Sequence, residues 1–327
     1  MVMAAAMAFV LTVGVWASPM ASGLADPCSA TGRGRPALVA SFARWFWPGE
    51  RGTAHDQRPA VARGDGVTVA VVDTGIAPIA ELRGSVWWSA SKGFVPGGSL
   101  LDANGHGTEM ASIVHEVAPA ARLLVLRALD DSGGGSSRDV ARAIRYAVQK
   151  GARVINLSAA GGAADPAVRD AISDADRHGA LVVVAAGNNG VDLDAYPSFP
   201  AGYDLPNLVV VAATSGTSGL SPTSDWGARD VLLGAPGMDV PTRSIDGARA
   251  MVSGSSPAAA LTSGVIALIV GEHPDSSVGD LRTALVRGSD PEPGLQGKLA
   301  TGGRLNPTRA LGGSVRISCR ASMAFRP

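Results

Sequence analysis

The sequence predicts an α/β fold, a doubly wound and mostly parallel sheet with helices on both faces. Two observations carry this. Near-continuous β-branched runs, the pattern of strands buried on both faces, recur along the chain. Segments of helical periodicity lie between them, so strand and helix alternate and successive strands are expected to run parallel. With 46% hydrophobic residues over 327 positions, the chain has ample material for the buried core such a sheet needs.

The first strand is expected over 67–73, where Val-Thr-Val-Ala-Val-Val-Asp is β-branched almost throughout. Similar runs predict strands over 122–129, 153–157, 181–186 and 207–213. Helical patterns fill the intervals over 107–117, 137–150 and 166–178, and two more helices, over 256–272 and 278–287, complete the core. No internal repeat or low-complexity tract is present.

Outside this region the texture changes. Residues 1–25 carry no charge and read as an apolar stretch followed by small residues. That is the pattern of a signal peptide, with an N-terminal anchor as the alternative, and it predicts a secreted or cell-envelope protein. Residues 26–64 are rich in Arg, Pro, Gly and Ala around one aromatic cluster, Trp45-Phe46-Trp47, and read as an extension or linker. A single domain over 65–312 and a tail over 313–327 follow. No later apolar run approaches the length of a membrane span, so no span is expected beyond the N-terminal segment. In an exported chain the two cysteines, Cys28 and Cys319, are expected to form a disulfide; two unrelated thiols are the alternative. Twenty-eight basic residues balance 28 acidic ones, which argues against nucleic acid as a partner.

In open parallel sheets, ligands sit beyond the carboxyl ends of the strands, so the residues that end each strand matter most. The first strand ends at Asp73-Thr-Gly. The stretch "DANGHGTEMASIV" then sets His106 between two glycines at a helix start, where an imidazole can approach another backbone closely. The strand over 181–186 runs into Gly187-Asn188-Asn189-Gly190, either a turn or an amide donor at the sheet edge. "GSSPAAALTSG" opens a helix with Ser255, Ser256 and Pro257. A hydroxyl there lies in a positive field among free N–H groups. A plain N-cap with proline at the first helical position is the ordinary alternative. His115, His178 and His273 are read as structural. Taken singly, each feature has an ordinary role; taken together, they supply an acid, a base, a hydroxyl and an amide donor, the set that nucleophilic acyl transfer requires.

The motifs "VAVVDTGI", "NGHGTEMASIV", "AAGNNG" and "GSSPAAALTSG", in this order, resemble those of the subtilisin-like serine proteases, the subtilase family. The resemblance extends over residues 66–310. It implies a serine endopeptidase in which Asp73 orients His106, His106 acts as base, Ser256 is the nucleophile and Asn188 stabilises the oxyanion. It implies no cofactor for catalysis; structural calcium is common in the family, but no ligand set here identifies a site. A peptide or protein substrate would pair as an extended strand with Ser158, Ala159, Ala160 and Gly161. Ala185, Ala186 and Gly187 would form the opposite wall and Ala195 the pocket floor. With no acid or base among these residues, a neutral or apolar substrate side chain is expected.

Two departures stand out. Pro257 directly follows Ser256, and Ala260 stands where the family has proline; Pro257 is expected to push Ser256 away from α geometry. "SAAG" replaces the usual Ser-Leu-Gly-Gly, and the added methyl of Ala160 is expected to narrow the groove. The short segment before the core leaves little room for a propeptide and resembles the mycosin branch, though the C-terminal membrane helix usual in that branch is not seen. Two rival readings remain: a degenerate subtilase that binds peptides without cleaving them, and a nucleotide-binding enzyme. The second lacks its glycine fingerprint in "VVDTGIAP" and a phosphate-binding lysine in "DSGGGSSRD".

Overall fold

The computed structural model describes residues 61–216, 219–312 and 316–317. The expected signal segment, residues 26–60 of the extension, Cys28, Cys319 and most of the tail lie outside the described residues. The strands, in chain order, are β1 (Val61–Ala62), β2 (Thr68–Asp73), β3 (Lys92–Gly93), β4 (Arg122–Arg127), β5 (Val154–Leu157), β6 (Leu181–Ala185), β7 (Leu208–Thr214), β8 (Leu233–Pro236), β9 (Val240–Arg243), β10 (Arg249–Val252), β11 (Ser289–Pro291), β12 (Gly303–Leu305) and β13 (Arg316–Ile317). The helices are α1 (His106–Val117), α2 (Ser137–Gln149), α3 (Pro166–Arg177), α4 (Ser255–Glu272), α5 (Val278–Arg287) and α6 (Pro307–Ala310).

Nine strands form one sheet in the order β11-β12-β8-β7-β6-β5-β2-β4-β3, parallel except for the β11–β12 pair. The fold class is therefore the expected one. Alternation along each strand divides the core between two faces. Val69 and Val71 join α1 and α4 on one side, while Ala70 and Val72 join α2 and α3 on the other. Every residue of β2, β5, β6 and β7 is buried, which is why these strands read as unbroken apolar runs rather than alternating ones.

The helix starts have local causes. Ser136 caps α2 by accepting from the Asp139 N–H, Asp165 caps α3 ahead of Pro166, and Ser277 with Asp280 forms a capping box at α5. Helix α4 differs from these. It is buried from Ser255 through Val270 and runs through the middle of one layer, against α1 and the sheet. By length and composition it would be apolar enough to cross a membrane, contrary to the expectation that no such run existed. Its interspersed Ser, Thr and Gly hide that character in the sequence, and its apolar surface is met by protein on all sides.

Several short elements escaped the sequence reading. Strand β8 contains Gly234 and Pro236, which argue against a central strand. The β9–β10 hairpin is only half buried and belongs to a separate two-stranded sheet. Outside the main sheet, β1 pairs in parallel with β13, joining the end of the N-terminal extension to the tail.

Candidate active site

Asp73 is the last residue of β2 and its side chain is fully buried. Its Oδ1 accepts from the Thr74 N–H at 2.8 Å and lies 2.7 Å from His106 Nδ1. A carboxylate oxygen can only accept, so Nδ1 carries a proton, and in the neutral ring Nε2 keeps its lone pair. That Nε2 is buried and has no hydrogen-bond partner.

His106 opens α1 directly after Gly105, whose φ of 104° suits glycine alone. On its other side Gly107 packs so closely that a Cβ there would overlap Gly75 O. The two glycines thus let the imidazole loop lie flat on the end of β2. A buried carboxylate missed by the sequence reading, Asp102, ties the two together. Its Oδ1 accepts from Thr74 Oγ1 at 2.9 Å and the Gly105 N–H at 2.8 Å. Its Oδ2 accepts from the Thr108 N–H at 2.8 Å and Thr108 Oγ1 at 2.6 Å. Thr74 Oγ1 in turn accepts from the Gly107 N–H at 2.9 Å. Four donors on one carboxylate fix the relative position of acid and base.

Burial of the His106 ring disfavours its charged form. The charge and hydrogen bond of Asp73, with the charges of Glu109 and Asp102, outweigh this and hold its pKa above the ordinary histidine value. Glu109 lies one turn along the same helix, with Oε2 buried and unpartnered. Burial pushes its pKa up to about 7, against the pull of His106 and with the push of Asp102 and Asp73. Glu109→Gln removes a negative charge that favours protonated His106, so the pKa of His106 falls. Because the base must be neutral, the acid limb of a kcat/KM–pH profile is expected to move to lower pH. A limb that stays put or moves to higher pH contradicts this.

Helix α4 begins at Ser255, preceded by Gly254 at φ 137°. Its first N–H, from Ser255, donates to Asn188 Oδ1 at 2.8 Å. Ser255 Oγ donates to the same oxygen at 3.1 Å and accepts from the Gly187 N–H at 3.0 Å. Asn188 therefore caps the helix that carries Ser256. Two donors on its oxygen settle which way the amide faces, and Nδ2 makes no hydrogen bond within the described residues.

Ser256, 9% exposed, is the second residue of α4. The expected displacement by Pro257 does not occur. The proline falls in the first helical turn, where its fixed φ suits the helix and no N–H is needed. The Ser256 hydroxyl donates to Ser158 O at 3.1 Å rather than to His106, while Ser158 Oγ donates back to Ser256 O at 3.1 Å. Behind them Asn156 donates to Ser158 Oγ and accepts from Ser263 Oγ, each at 2.9 Å.

The expected substrate residues fall into three groups. Ser158, Ala160 and Gly161 follow β5 at the sheet edge, but the Ala159 side chain is buried in the opposite core, in a small pocket with Val140, Leu157 and Val168. Ala185 and Ala186 are buried, one in each core, so only their backbone and Gly187 face the crevice. Ala195 is exposed on a turn whose N–H donates to Asp192 O, and so is not a buried pocket floor. An acid outside the expected substrate residues lies behind one of them. Asp225, 1% exposed, lies against Gly187 and receives the Asn189 and Val191 N–H groups on Oδ1 at 2.7 and 3.0 Å. Its partners are mostly main-chain groups 34 and 36 residues away, so no local signal announced it. Among the described residues, no group of three or more His, Cys, Asp or Glu is arranged to hold a metal ion.

An acid–imidazole pair and a helix-start hydroxyl on one edge of a parallel sheet are features of the α/β serine hydrolases. The chain belongs to the subtilase family, whose profile residues 64–312 match. It is 32% identical over 265 residues to thermitase of Thermoactinomyces vulgaris, the match covering 77% of this chain and 90% of that one. It is 33% identical over 234 residues to M-protease of Shouchella clausii, covering 68% of this chain and 58% of that relative's length. Its fold resembles the crystal structure of a lanthipeptide protease with a TM-score of 0.70 at 24% identity, covering 77% of this chain and 90% of that one.

Proposed function

We propose that this chain is an exported serine endopeptidase. The observation that carries the reading is the 2.7 Å contact between His106 Nδ1 and Asp73, with a bare Nε2 on the far side of the ring. Ser256 Oγ turns from Ser158 O to Nε2, gives up its proton there and attacks the scissile carbonyl. Asp73 holds the tautomer and stabilises the imidazolium. Asn188 Nδ2 and the Ser256 N–H, which has no intrahelical acceptor so near the helix start, receive the oxyanion. His106 then returns the proton to the leaving amine. Acid, base, nucleophile and oxyanion donors all come from the chain, so the reaction needs no cofactor. The substrate is a peptide or protein lying as an added strand along residues 158–161.

Export by the uncharged segment 1–25 and a Cys28–Cys319 disulfide belong to the same reading. A disulfide closing so long a loop would constrain the unfolded chain by about 4–5 kcal/mol.

The alternative is a peptide-binding subtilase without turnover, in which the hydroxyl stays bonded to Ser158 O. An organophosphonate serine probe separates the two, with mass spectrometry of the modified peptide. An adduct on Ser256 that disappears in His106→Ala is expected. A folded protein that takes no label supports the binding protein instead.

A further inference from the structure

The crevice beside Ser256 has two walls, residues 158–161 and 186–188, which continue β5 and β6 beyond their paired ends at Leu157 and Val184. Ser256 adjoins both. Its hydroxyl is bonded to Ser158 O, and its neighbour Ser255 is bonded to Gly187 and Asn188. A residue presenting its carbonyl to Ser256 and Asn188 therefore has this crevice as the place for its side chain.

The crevice is nearly shut. A Cβ on Gly187 would overlap Asp225 Oδ2 and would stand 3.6 Å from the Ala160 Cβ. The Gly187 Cα is thus within roughly 5 Å of the Ala160 methyl, one C–C bond further on. Carbon atoms in contact sit about 3.5–4 Å apart, so a side chain that runs on between the two walls needs about 7–8 Å, whereas a methyl or hydroxymethyl group can stop at the mouth. Asp225 has little freedom to withdraw. Its Oδ1 holds two main-chain N–H groups and its Oδ2 receives Asn189 Nδ2 at 3.3 Å. Removing the carboxylate would strand those donors in a buried place.

We propose that Ala160 and Asp225 together restrict the residue on the acyl side of the scissile bond to glycine, alanine or serine. This rests on the reading of Ser256 as nucleophile and narrows the neutral or apolar preference expected from the sequence. A lysine or arginine gains little from the Asp225 charge, because Asp225 is buried and its Oδ2 is already bonded.

The test uses the purified full chain and peptides that differ only at this residue: glycine, alanine, serine, leucine, phenylalanine, lysine or arginine. kcat/KM for the alanine peptide is expected to exceed that for leucine, phenylalanine, lysine and arginine by at least about tenfold. In Ala160→Gly, which removes the methyl from the wall, the alanine-to-phenylalanine ratio is expected to fall by about tenfold. A wild-type preference for leucine or phenylalanine overturns the proposal, and so does one for lysine or arginine. A small fluorophosphonate with no side chain for the crevice separates this failure from a deeper one. If it leaves Ser256 unlabelled and no peptide is cleaved, the protease reading falls and the proposal falls with it.

Discussion

Replacing Ser256 with alanine is expected to lower kcat/KM for a cleaved peptide by about 10⁶-fold. What remains would come from substrate binding and the oxyanion donors, which the substitution leaves in place. The fold is expected to survive. The lost hydroxyl makes one hydrogen bond, to a carbonyl at the crevice mouth, a contribution of about 0.5–1.5 kcal/mol. Circular dichroism and thermal unfolding should therefore stay close to the parent while peptide hydrolysis disappears. If the alanine variant keeps more than a few per cent of activity, the nucleophile lies elsewhere and the role given to α4 is wrong.

Asp73→Ala carries the second largest expected effect, a loss of about 10⁴-fold in kcat. It removes the acceptor for both His106 Nδ1 and the Thr74 N–H. The imidazole then loses the contact that fixes its tautomer, and the imidazolium formed in the reaction loses its counter-charge. Each donor stranded in this buried place costs about 1–3 kcal/mol, so the variant should also unfold at lower temperature. Rates must be compared where both proteins are folded. Asp73 is the principal charge raising the pKa of His106, so any residual activity should have its acid limb at lower pH. A loss of less than tenfold contradicts the orienting role. Combining Ser256→Ala with Asp73→Ala should cost little more than Ser256→Ala alone, because the residues act as a unit.

What the sequence disclosed follows from where each signal resides. Strands such as Thr68–Asp73 and Leu181–Ala185 are buried on both faces, so their composition alone marks them. Helices α2, α3 and α5 carry their own caps, and their observed ends fall close to the expected ones. Asp73, His106, Asn188 and Ser256 stand out as candidates in the sequence because each falls beside a strand end or a helix start, where the structure also has them. Residues that serve the site from within loops do not. Asp225 looks like an ordinary loop acid until folding brings it N–H groups 34 and 36 residues away, and Asp102 looks like one until Thr74 Oγ1, 28 residues away, joins its local donors. Ala195 shows the reverse failure, a position inferred from neighbouring residues whose loop turns outward. Pro257 reads as disruptive because proline disfavours α geometry in the residue before it. With the helix start at Ser255, the proline falls in the one turn that tolerates it.

The place of Ser256 on α4 has a practical consequence. That helix is the most enclosed of the helices described, packed against α1 and the sheet from Ser255 to Val270. Surface loops can fray without disturbing it, whereas any opening that frees Ser256 dismantles one whole layer of the core. Covalent titration of Ser256 would therefore count intact molecules, and in a stored preparation the titre should fall in proportion to the fraction unfolded, with specific activity per titrated site unchanged.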